Sequence, residues 1–153
     1  MREPLLSIIV VSYENPSLIL RRALESVLAQ SYRNYEIILV DANPVGSDYS
    51  LGLREDMEKY PEIPVIACPC AKGEFAAAKN AGAAQANGTY IAFLMASDAW
   101  NQECAASQIV VLEEHPDVAL VSCLRWTRRS AALPAHFPNS PPLDAPDLHT
   151  GLR

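Results

Sequence analysis

Leu5 to Val11 is apolar at every position but Ser7 and rich in β-branched residues, the pattern of a strand buried on both faces of a parallel sheet; the strand is set at Ser7–Val11. Four more short apolar runs follow: Tyr35–Val40, Pro64–Cys68, Tyr90–Leu94 and Val118–Cys123, the last reaching toward Trp126. The periodicity between them is helical. Leu20, Leu24, Val27 and Leu28 share one helix face, opened by Asn15 as cap and Pro16 as first helical residue and running to about Gln30. Leu53, Met57 and Tyr60 mark a second helix, after the loop Asn43-Pro44-Val45-Gly46. The alanine-rich stretch Phe75–Ala86 predicts a third, closed by Asn87-Gly88, with Gly82 inside it as a point of close packing. Asn101–Glu114 predicts a fourth. Strand and helix alternate with short links, which predicts an α/β domain of three layers: a mainly parallel sheet with helices on both faces.

The 153 residues suit one domain, set at 1–130. Beyond it, Pro134, Pro138, Pro141, Pro142 and Pro146 interrupt any period, so 131–153 reads as a proline-rich tail or a truncated linker. Half the residues are apolar and a fifth charged, enough for a core, and the net charge of −6 without a basic stripe argues against nucleic acid. No apolar run is long enough to span a bilayer, and the first run is read as a strand rather than a signal peptide, which places the chain in the cytoplasm. Cys68, Cys70, Cys104 and Cys123 have neither C-x-x-C spacing nor a histidine at zinc distance, so they are expected as small thiols of a reducing compartment. His115, before Pro116 at a helix end, is expected at the surface.

Phosphate-binding signatures are absent. The turn after the first strand, Ser12-Tyr13-Glu14-Asn15-Pro16, has no G-x-G-x-x-G, and the chain has no P-loop and no G-x-S-x-G elbow. Another pattern is present. Leu6-Ser-Ile-Ile-Val-Val-Ser-Tyr-Glu-Asn15 resembles the opening strand and S/T-Y-N turn of family 2 glycosyltransferases. The segment Arg22 to Asp41 is similar to the family's first helix, its Q-[ST]-Y turn and the strand ending in V-D. Lys72–Gly82 resembles its glycine-led A-A-[RK]-N-x-G helix, Gly88–Leu94 its G-E-Y-I-A-F-L strand, and His115–Val121 a later segment. The resemblance is ordered and covers about residues 4–126.

It implies the GT-A fold, a Rossmann-like nucleotide-diphospho-sugar transferase fold. It also implies transfer of a sugar from a nucleotide-activated donor to a glycan or lipid-linked acceptor. By position, Tyr13, Asp41 and Lys79 would be nucleotide-binding. Each has a plainer alternative: a tyrosine closing the strand over the core, an aspartate bonding loop amides, a solvated helical lysine. Ser97 and Asp98 would form the donor-binding loop. The family's D-x-D acids, which hold a divalent metal (Mn or Mg), are replaced in Met95-Ala96-Ser97-Asp98, leaving Asp98 as the candidate ligand or as the cap of the next helix. Ala42 stands where the family has its second, base-reading acid. No general base is identified; Asp144 and Asp147 of the tail have nothing to mark them as one. The missing acids leave a second reading open, a catalytically degenerate binding or assembly module, or a fragment of a longer transferase.

Overall fold

The structure, a computed structural model, describes residues 3–122. Four strands form one sheet: β1 (Leu6–Ser12), β2 (Tyr35–Asp41), β3 (Val65–Ala67) and β4 (Tyr90–Met95). Their order is β3-β2-β1-β4 and every pairing is parallel, with Ile8 opposite Ile37 on one side and Ala92 on the other. Every residue of β1 is buried, as a central parallel strand requires.

Alternate residues of the strands build two cores. On one face Leu6, Ile8, Val10, Leu39 and Leu94 pack under α1 (Ser17–Leu28), α2 (Asp48–Met57) and α4 (Cys104–Glu114), through Leu20, Leu24, Val27, Leu53, Met57 and Ile109. On the other face Ile9, Val11 and Val40 meet Ala78 of α3 (Ala76–Ala83). The topology accounts for this division. The chain steps outward from β1 to β3, then returns to the far side of β1, and a right-handed crossover in the reverse direction puts its helix on the opposite face. Gly82 lets α3 sit close: a Cβ there would lie 2.4 Å from Ile9 Cγ2 and 3.1 Å from Val40 Cγ2. Among the described residues α3 packs mainly on β1 and β2 and covers β4 only in part, and Ile91 and Phe93 are 46% and 47% exposed.

Three expectations change. α1 begins one residue later than read, with Pro16 in the cap position and no side-chain cap. Asn15 instead turns inward, accepting from Tyr13 N and Ser12 Oγ. α4 begins at Cys104, because Asn101 takes its side chain back to the Glu103 N–H and makes a turn of its own. The fifth strand is absent over Val118–Ser122, where nothing pairs with the backbone as a ladder and Leu120 is 80% exposed. Its remainder from Cys123 to Trp126, and the tail 131–153, lie outside the described residues. No helix among the described residues is long and apolar enough to cross a membrane.

Candidate functional site

In a parallel sheet whose strand order reverses, ligands bind outside the carboxyl ends of the strands. Four loops converge there. The first, after β1, is Tyr13-Glu14-Asn15. The half-buried Tyr13 ring packs against Phe75 at the start of α3, centroids 5.4 Å apart and planes at 56°. Glu14 takes a φ of 50°, a left-handed conformation that costs a non-glycine residue energy and persists only where neighbours enforce it. Its carboxylate lies 3.7 Å from Lys72 Nζ, both side chains solvated.

The second loop follows β2. Asp41, only 1% exposed, directs its carboxylate into the loop, where Asn43 and Ser50 bond to it. The third carries Cys68 and Cys70, both half-buried free thiols at the edge of the second core. Burial, then the neighbouring Cys68 and Glu74, push the Cys70 thiol above its usual pKa and away from the reactive thiolate.

The fourth loop, after β4, is anchored from below. Ala96 N donates to Val11 O at 2.8 Å, and Asp98 N donates to Met95 O at 2.8 Å. The fully buried Gln30 at the end of α1 donates from Nε2 to Asn101 O (2.6 Å) and accepts the Ala105 N–H at Oε1 (2.9 Å). Ser31 N adds a bond to Gln102 O, and Ser26 Oγ accepts from Trp100 N. The Q-S-Y turn of the sequence thus clamps residues 100–105 and fixes the loop's return.

The structure brings Tyr13, Asp41, Ser97 and Asp98 to one rim. Ser97 is exposed and Asp98 half-buried. Asp98 does not cap α4, whose cap position is Glu103, five residues on. Lys79 sits one turn along α3 with Nζ 5.7 Å from the Phe93 ring centroid, over β4. Around a metal, the fourth loop would offer one carboxylate and one hydroxyl, since Met95 and the buried Ala96 contribute no oxygen side chain. Among the described residues no three His, Cys, Asp or Glu side chains group closely enough to hold an ion. That donor set does not fit a hard divalent cation, which needs several oxygens.

Two residues of this architecture escape sequence reasoning. Gln30 was legible only as part of a motif, and besides Ser26 O its partners lie more than seventy positions away. Asn43 carried a weak signal, an Asn two places after a strand-ending Asp and before a proline, which marks an Asx turn.

A parallel sheet with helices on both faces and a reversal of strand order at β1 defines the class of doubly wound α/β domains. Within it, the sequence pattern of Glycosyl transferase family 2 matches residues 7–136, and the chain belongs to that family. The O-antigen biosynthesis protein RfbC of Myxococcus xanthus is 30% identical over 120 residues, which are 78% of this chain and 9% of that protein. Two solved structures share the fold. The mannosyltransferase PcManGT from Pyrobaculum calidifontis, in complex with GDP-Man and Mn²⁺, superposes with a TM-score of 0.60 at 21% identity over 72% of this chain and 33% of its own. S. aureus TarS 1-349, in complex with UDP, gives 0.59 at 23% identity over 72% and 32%. The chain therefore spans about a third of these solved chains and less than a tenth of RfbC.

Proposed function

We propose that this chain is the donor-binding half of a family 2 glycosyltransferase, taking a nucleotide-activated sugar at the carboxyl edge of the sheet for transfer to a glycan or lipid-linked acceptor. The observation that carries the reading is the Tyr13–Phe75 pair at the point where the strand order reverses, in a chain of this family. A planar base needs an aromatic face, and Tyr13 supplies one beside loops rich in polar backbone. Lys79 is the side chain assigned to the diphosphate, reaching it past the end of β4. Ser97 and Asp98 are assigned to the sugar, as hydroxyl and carboxylate partners for its hydroxyls. In the transfer itself the acceptor oxygen bonds to the anomeric carbon, the bond from that carbon to the phosphate oxygen breaks, and the nucleoside diphosphate leaves. The base that takes the acceptor's proton is not assigned to any described residue. A cytoplasmic setting accords with the free thiols of Cys68 and Cys70.

The loop Met95-Ala96-Ser97-Asp98 favours a second reading, a binding or assembly module without transfer activity, because it lacks the carboxylates that a metal-assisted leaving group needs. A thermal-shift and calorimetric titration with UDP, GDP and their sugar conjugates, with and without Mn²⁺, decides the first point. Stabilisation by at least one nucleotide is expected, and no response to any of them would sink the donor-binding reading. Transfer of label from the ligand that binds to a glycan or lipid acceptor would then exclude the module reading.

A further inference from the structure

Both oxygens of the Asp41 carboxylate are engaged inside the protein. Oδ1 accepts the Asn43 backbone N–H at 3.1 Å and Asn43 Nδ2 at 2.8 Å, and Oδ2 accepts Ser50 Oγ at 2.6 Å. At 1% exposure Asp41 presents almost no surface of its own to the rim. Asn43, 2% exposed, spends its remaining side-chain atom across the loops: Oδ1 accepts the Glu14 backbone N–H at 2.6 Å. Glu14 is the non-glycine residue whose φ of 50° needs enforcing, and it follows Tyr13 directly. We infer that Asn43 is a positioning residue of the proposed nucleotide site, carrying the hold of the buried Asp41 carboxylate from β2 across to the Tyr13–Glu14 turn and so fixing the Tyr13 ring.

The chemistry of the side chain supports this. An amide has a donor end and an acceptor end, and here the carboxylate takes the donor and the Glu14 N–H takes the acceptor. The reversed amide would set oxygen against oxygen and N–H against N–H, so the network itself fixes the orientation. The bond to Asp41 is charge-assisted and anchors the bond to Glu14. An aspartate at position 43 would keep the acceptor but face Asp41 with a second negative charge. An alanine would keep neither bond.

The inference rests on the nucleotide reading of Tyr13, and the test separates the two. In ¹H–¹⁵N spectra of the whole chain, the Glu14 amide is expected far downfield and slow to exchange with deuterium. Exchange as fast as an unprotected amide overturns the inference without any substitution. Asn43→Ala should move that resonance upfield and weaken UDP or GDP about tenfold, the scale of one net hydrogen bond. Asn43→Asp should do the same. In the double variant Asp41→Asn/Asn43→Asp the amide of residue 41 donates to the new carboxylate, whose other oxygen accepts the Glu14 N–H, while the backbone N–H of residue 43 loses its acceptor; the Glu14 resonance should return downfield and the affinity should rise above that of Asn43→Asp without reaching the parent's. Direct contact between Asp41 and the nucleotide predicts instead that affinity stays lost in the double variant while the Glu14 amide ignores Asn43→Ala, and that result would refute the relay. A parent chain that binds neither UDP nor GDP defeats the nucleotide reading, while the Glu14 resonance still reports on the relay.

Discussion

At the scale of single residues, Glu36 shows how burial and hydrogen bonding compete. Burial alone would raise its pKa, but donors from Ser7 Oγ, Asn87 and Gly88 outweigh that and hold the carboxyl below its ordinary 4.5. A group with a lowered folded pKa stabilises the fold above its unfolded value and loses that contribution as pH falls through the folded one. The parent chain should therefore lose melting temperature more steeply than Glu36→Gln as pH drops below 4.5, read by circular dichroism. Equal slopes would mean that the Ser7 and Asn87 bonds carry no net preference for the charged form. Ser97 offers a second test. Placing a carboxylate beside Asp98 by Ser97→Asp should create a Mn²⁺-dependent thermal shift that the parent lacks. Legibility at this scale divides along sequence separation. Tyr13 directly follows β1 and Asp41 ends β2, which puts both at the carboxyl edge of the sheet, and strand ends are readable from local pattern. Asp98 as a helix cap fails because Asn101 forms its own turn and delays α4. Gln30's partners across the fold and Asn43's bond to Glu14 stay hidden because they join distant loops that no local period brings together.

At the scale of elements, buried strands and amphipathic helices read well because each carries its period within a few residues. β1, β2 and β4 fall within a residue or two of their expected bounds. The fifth strand does not, although Val118–Ser122 is as apolar as β3. Apolarity is necessary for a parallel strand, but a neighbouring backbone must also pair with it, and the sequence does not reveal that neighbour. Gly82 in α3 was expected to permit close packing, and the 2.4 Å approach to Ile9 explains why. Gly82→Ala should therefore destabilise the chain by roughly 1–3 kcal/mol through overpacking, against a helix-propensity gain of about 1 kcal/mol. Chemical denaturation measures the balance. A net gain in stability would show that α3 shifts freely off the sheet.

At the scale of the whole molecule, the three-layer parallel architecture was legible because strands and helices alternate, a pattern with few topological solutions. The strand order was not, since sequential alternation alone does not say where the chain turns back. That reversal puts the earliest of these four strands inside the sheet, between β2 and β4. Leu6 pairs with Tyr35 on one edge and with Tyr90 on the other, so β1 waits for a partner that is synthesised much later. Until then one side of a largely apolar strand stays open, the condition in which nascent chains stick to one another. A fragment ending at Gln85, just before β4, should associate in light scattering at micromolar concentration, whereas a stable folded monomer would show that β4 is dispensable. Production of this domain in a cell thus has a built-in vulnerable interval. It opens when β1 leaves the ribosome and closes only when Tyr90–Met95 arrives, and a pause in translation between those two points is where yield would be lost.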